Sequence, residues 1–284
     1  MVGVRSRELD PSASPLDYYG YELRRAREAA GLTLAQLGAI VFCTGSLIGQ
    51  IETAARVPQR DFSERLDAAL GTDGLFSRLV GLVLRNQLPG WFQPYAELEA
   101  RAAYISTFQA QLVDGLLQTE AYARTVLGLR DRTDLDSRVD ARLERQRILV
   151  RDEPPATWAV LSEAVLHQEI GNRHIMREQL AHLLTMQHRS WVTVQVLPFS
   201  VGAHAGLMGS FALLRFEKDP DIVYSEDFVQ GHMTANPQAV KEGSVRYDQL
   251  QAAALSAEDS AALITRVMKE RYGNEPTPDG RNLA

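Results

Sequence analysis

Apolar residues recur at helical spacing through the first ninety positions, with polar punctuation between the runs. Leu23, Ala26, Arg27 and Ala30 fall at helical intervals, and Gly31 supplies a C-terminal stop. Thr33 stands where a second helix needs its N-cap, ahead of Leu34, Leu37, Ile40 and Val41. After a break at Phe42–Cys43, Thr44 caps a third helix containing Leu47, Ile48 and Ile51. Pro58 bars continuation, and Asp61 caps a fourth helix in which Phe62, Leu66 and Leu70 align before Gly71 ends it. A fifth, apolar helix over 72–90 runs to Pro89–Gly90, which reads as a domain boundary.

Beyond it, helical text covers 94–112, 117–128 and 135–150 before Pro154–Pro155 interrupts the chain. The pattern then changes: Thr157–Leu161, Trp191–Leu197, Ser210–Phe216 and Ile222–Tyr224 read as strands, the second rich in β-branched residues. A helix over His174–Gln187 separates the first two strands. Final helices open at Pro237 and at Ser256, where Ser256 and Asp259 resemble a capping box. The whole predicts a mainly α chain, α+β overall. A five-helix domain occupies 18–89, and a larger α+β domain with a small, mainly antiparallel sheet occupies 90–273. Flexible segments flank them at 1–17 and 274–284.

Composition narrows the function classes. The chain has 284 residues, 45% hydrophobic and 23% charged, which excludes wholesale disorder and suits two domains. Residues 1–90 hold ten basic and ten acidic side chains, so the net charge of −6 lies entirely after them. Within 21–60, Arg24, Arg25, Arg27, Arg56 and Arg60 face only Glu22, Glu28 and Glu52, a modest basic excess. The first twenty residues mix charges without an apolar core, so no signal peptide is expected. Leu75–Leu84 is too short to span a bilayer and contains Arg78. The lone Cys43 fits a reducing cytoplasm and reads as a core residue at an apolar turn.

Enzyme chemistry is not signalled. The six histidines form no HExxH motif or close Cys/His cluster, and no GxSxG, Walker or GxGxxG text occurs. No catalytic residue, metal or cofactor is expected, and no membrane partner. The loop Pro198–Gly209, carrying His204 and Met208, is long for a strand connection and reads as either a docking surface or a plain crossover. Trp91, Phe92 and Tyr95 are expected to pack between the domains.

The informative spacing is that of the second and third helices: a short helix, a tight turn, then a helix with Ile48 and Ile51 facing inward. Gly38 and Cys43 fill the small and apolar places such a helix-turn-helix needs. Thr44, Gly45, Ser46, Leu47 and Gln50 would then lie toward a major groove. Tyr21–Pro58, with the string LRRAREAAGLTLAQLG and Ile51–Glu52, resembles the Cro/XRE-type helix-turn-helix of phage-repressor-like regulators. The resemblance implies that Arg27 and Glu52 pair as a structural brace. Three features depart from the pattern: Phe42 stands for the usual turn glycine, Ala54–Ala55 for the usual Arg–Gly, and Gly45 and Gly49 weaken helix three by about 1 kcal/mol each. On this reading Gln50 takes adenine and Leu47 a thymine methyl. Thr33 and Thr44 at helix N-termini, Arg56 and also Arg60 meet phosphate.

The segments WFQPYAELEARAAYISTFQAQLVDGLLQTEAYAR, VTVQVLPFSVGAHAGLMGSFALLRF and DIVYSE resemble the C-terminal domain of WhiJ-like actinobacterial regulators. That resemblance implies an antitoxin-like transcriptional regulator working with a small partner protein encoded nearby. Double-stranded DNA and a homodimer follow as the expected partners. Two rivals stay open: a one-component regulator sensing a small molecule, and an interaction protein with a degenerate helix-turn-helix.

Overall fold

A computed structural model describes residues 9–129, 134–227 and 229–273. They fall into two compact units, one of residues 1–90 with 136–144, the other of 91–135 with 145–284. Of the flexible lead-in expected over 1–17, residues 1–8 lie outside the described residues, as does the tail over 274–284.

The first unit holds α1 (Pro15–Ala29), α2 (Leu34–Ile40), α3 (Gly45–Glu52), α4 (Arg60–Leu70) and α5 (Leu75–Arg85). Helix α1 begins at Pro15, inside the stretch expected to be flexible and well before Leu23, where its apolar pattern starts. Ser14, read as flexible, caps it by accepting from the Asp17 amide, and Pro15 takes the first-turn position where no amide partner is needed. Tyr19, Leu23, Leu37, Ile48, Ile51, Phe62, Leu66 and Phe76 form the core of this unit. Asp67 on α4 organises the start of α5: its carboxylate accepts from the Phe76 and Ser77 amides and from the Thr72 and Ser77 hydroxyls. Burial alone would raise its pKa. These hydrogen bonds together outweigh burial and hold it below the ordinary carboxylate value.

The second unit contains α6 (Gln93–Glu99), β1 (Tyr104–Gln109), α7 (Glu120–Gly128), the end of α8 (Leu135–Gln146), and β2 (Ala156–Ser162). There follow α9 (Glu163–His167), α10 (Arg173–Met186), β3 (Val192–Leu197), β4 (Phe211–Arg215), β5 (Ile222–Glu226), β6 (Gly231–Thr234), α11 (Pro237–Ala253) and α12 (Ala257–Tyr272). The strands make one sheet in the order β3-β2-β1-β4-β5-β6. It is larger than the small antiparallel sheet the pattern suggested, and it is mixed: β1, β2 and β3 run parallel, while β4, β5 and β6 add antiparallel strands.

Two strands account for the difference in size, and the parallel pairing of β2 with both β1 and β3 makes the sheet mixed. Strand β1 lies inside the stretch read as helix over 94–112, and only Gln93–Glu99 of that stretch is helical. It sits between β2 and β4 with Ile105–Phe108 all buried, so the alternation that marks a half-buried strand is missing. Strand β6 has only four residues. Helix α11 lays Tyr247 and Leu250 against Phe108, Val160 and Leu213. At the β3 edge, the Val196 amide donates to Ser260 Oγ and its carbonyl accepts from the Leu255 amide, which closes that edge. Phe92 and Tyr95, expected between domains, pack inside this unit, where Tyr95 stacks on Tyr224 at 3.9 Å. The Pro198–Gly209 loop is anchored by Gly206 against the Phe108 ring, while Leu207 and Met208 are exposed.

Candidate nucleic-acid interface

The axes of α2 and α3 bend by 110° about the turn at 41–44, within the range of helix-turn-helix units. Both helices start on a threonine cap. Thr33 Oγ1 accepts from the Gln36 amide while Gln36 Oε1 accepts from the Thr33 amide, a complete capping box. Thr44 Oγ1 accepts from the Leu47 amide. The Thr-x-x-Gln spacing is itself the local signal for Gln36 as the reciprocal partner.

Close approach explains two of the glycines. A Cβ on Gly38 would lie 2.8 Å from the Cys43 carbonyl oxygen and 2.9 Å from the Gly45 nitrogen. One on Gly45 would lie 3.0 Å from the Ala35 nitrogen. The backbone of each helix therefore occupies the space a side chain on the other would need. Gly49 is different, with only Leu34 Cδ1 nearby at 3.5 Å. Phe42, in place of a turn glycine, holds φ at 57° and leaves 87% of its surface exposed. A side chain in that left-handed region costs about 1–2 kcal/mol. Ala54, in place of the usual Arg, is left-handed too, with φ 54°.

On α3, Ile48 and Ile51 are buried and Thr44, Ser46 and Gln50 are exposed. The Ser46 and Gln50 side chains make no hydrogen bond among the described residues and stand four residues apart, on one face. Gly45 is half-buried. Leu47 is also half-buried and packs against the core, so only part of its side chain faces outward.

Arg27 and Glu52 meet. Arg27 Nε and Nη2 donate to the two Glu52 carboxylate oxygens at 2.5 and 2.9 Å, and Nη1 donates to the Leu32 carbonyl at 2.9 Å. Glu52 is 2% exposed. Its fork of hydrogen bonds raises the Arg27 pKa above its ordinary value, so the guanidinium stays charged. Arg24 joins from one turn earlier, 3.6 Å from Glu52 Oε2. At the same crossing, Gly20 of α1 lies under the Ile51 carbonyl, 2.7 Å from where its Cβ would be.

Most of the basic excess read from 21–60 is therefore engaged internally. Arg24 and Arg27 pair with Glu52, Arg25 with Glu22, and Arg60 with Glu144 of α8. Among the described residues Arg56 alone of the five has no carboxylate partner, and it is exposed. Nothing in the spacing of Arg60 and Glu144, 84 residues apart, signals their pairing.

Residues 19–78 match the family described as a helix-turn-helix domain. Residues 92–266, more than half of the chain, match the family described as domain of unknown function DUF5753. The chain belongs to the DUF5753 family. In this DUF5753 protein the helix-turn-helix match spans α1 to the start of α5, which supports an XRE-like regulator. The DUF5753 match begins at Phe92, takes in all six strands, and ends within α12. No curated protein and no solved structure matches the chain. Among the described residues no single helix is long and apolar enough to cross a membrane.

Proposed function

We propose that this DUF5753 protein is a cytoplasmic, non-catalytic, sequence-specific DNA-binding transcriptional regulator. Helix α3 enters the major groove with Ser46 and Gln50 toward base edges and the exposed part of Leu47 against a thymine methyl. Thr33, Thr44 and Gly45 bring helix N-termini to phosphate, and Arg56, with no carboxylate partner among the described residues, supplies a cation. The DUF5753 domain mediates dimerisation and control by a small partner protein, as the WhiJ-like, antitoxin-like resemblance implies. The observation that carries this reading is the exposed Ser46–Gln50 face, without a side-chain hydrogen bond among the described residues, on a capped helix crossing α2 at 110°.

Dimerisation follows from magnitude. One bidentate base contact discriminates by about 1–3 kcal/mol, whereas specific sites exceed non-specific DNA by about 4–10 kcal/mol. A lone α3 falls short, and two copies on half-sites about one helical turn apart close the gap. The test is a titration of a selected duplex and an unrelated duplex at about 50 and about 200 mM salt. Gln50→Ala is expected to weaken the selected site by about 5- to 150-fold and leave the unrelated duplex unchanged. Equal losses on both would remove Gln50 from the reading role. Absence of binding at the lower salt would remove the DNA-binding reading.

A second reading, an interaction protein with a degenerate helix-turn-helix, draws on the internal pairing of four of the five arginines of 21–60. A small-molecule sensor draws on the groove of about 620 Å³ between α7 and α10, lined by Thr119, Arg124, Glu178 and His182.

A further inference from the structure

Arg60 opens α4, directly after the connection that carries Arg56 away from α3. Its guanidinium is held by a carboxylate from much later in the chain. Arg60 Nε donates to Glu144 Oε2 at 2.7 Å and Nη2 donates to Glu144 Oε1, while Nη1 donates to the Ser77 carbonyl of α5 at 3.3 Å. The side chains are 23% and 12% exposed. Gly81 of α5 leaves the pair its room: a Cβ there would already touch Glu144 Oε1 at 3.4 Å and Arg60 Nη2 at 3.5 Å. Residues 136–144 of α8 belong to the helix-turn-helix unit, although they lie inside the stretch that matches DUF5753.

The two oxygens of a carboxylate meet a guanidinium in the same forked geometry as two phosphate oxygens. We infer that Glu144 is a built-in substitute for a DNA phosphate, and that it competes with the DNA backbone for Arg60. This rests on the reading that the first unit binds DNA. With Arg24, Arg25 and Arg27 also paired, release of Arg60 adds a cation four residues from Arg56. The segment that withholds it is supplied by the DUF5753 stretch. Displacement of α8 raises affinity without any change at α3, because the added contact is to phosphate and not to a base.

The experiment compares the full chain with Glu144→Gln on the selected and unrelated duplexes across a salt series. One additional phosphate contact steepens the dependence of log affinity on log salt by about 0.9, which at about 0.1 M salt is an affinity gain of about eightfold. The gain is equal on both duplexes. Adding Arg60→Gln to Glu144→Gln abolishes it. An unchanged slope in Glu144→Gln, or a gain that survives loss of Arg60, overturns the inference. Should Glu144→Gln alter the helical circular dichroism, Glu144→Asp shortens the carboxylate by one methylene and carries the same expected direction. If neither wild type nor variant binds any duplex, the DNA-binding reading itself falls. If the wild type binds and the variant matches it, only the role of Glu144 falls.

Discussion

Replacing each helix-turn-helix glycine by alanine separates steric need from helix propensity. In a helix interior, glycine to alanine gains about 1 kcal/mol. At Gly49 the new methyl group meets only the flexible end of Leu34, at 3.5 Å, so most of that gain survives. At Gly38 the methyl group would lie 2.8 and 2.9 Å from backbone atoms of the turn, which must shift. Overpacking of that kind costs about 1–3 kcal/mol and exceeds the gain. Gly45 sits between these two: its Cβ would approach the α2 backbone at 3.0 Å, and as the first residue of α3 it gains less from propensity. The expected order of stability is Gly49→Ala above wild type, then Gly45→Ala, then Gly38→Ala. The extremes differ by about 2 kcal/mol, or about 8–16 °C in the midpoint of a unit on the order of 100 residues. Trp91, Trp158 and Trp191 all belong to the second unit, so tryptophan fluorescence follows that unit while the helical circular dichroism also follows the first. If Gly38→Ala and Gly49→Ala move the circular dichroism midpoint in the same direction, close packing of α2 on the turn is not what these glycines serve.

Two further outcomes follow from ion pairs and caps. Glu52→Gln leaves the half-buried Arg27 guanidinium without its counter-charge and is expected to cost about 3–5 kcal/mol by chemical denaturation. The double replacement Arg27→Met with Glu52→Met should recover much of that, and a double variant as unstable as the single one would argue against an electrostatic origin. Asp67 has a folded pKa below its ordinary 3.8, so its stabilising contribution is fully present above that value and is lost as pH falls through the folded one. Asp67→Asn should therefore be less stable than wild type near pH ~6, with a gap that starts to close only below about pH 4 and vanishes as pH falls through the folded value, as measured by urea midpoints carried below it. A constant gap between the two proteins at every pH would rule out titration of Asp67.

Most local signals were legible, although Asp61, read as the cap of α4, stands inside that helix behind the N-cap Gln59. Thr33, Thr44 and Ser256 cap the helices their spacing indicated, because a cap is made within three residues of the helix it starts. The left-handed stops at Gly31 and Gly71 are local in the same way. Ser14 and Pro15 carried an equally local signal that was read as flexibility, since the apolar pattern of α1 begins only later. Strand β1 failed for a different reason. Its burial comes from β2 on one side and β4 on the other, so no periodicity within its own six residues reports it.

By itself, the order of apolar, capping and breaking residues determined the five N-terminal helices, the turn between α2 and α3, and the exposed Ser46–Gln50 face. Each of these depends on neighbours a few positions away. Tertiary structure alone decided the size and mixed topology of the sheet, and which glycines are obligatory. It also decided which arginines remain available to DNA. Those properties arise where segments distant in sequence meet, as Arg60 meets Glu144, and a charge written in one helix is neutralised or left free by a residue the local text never names.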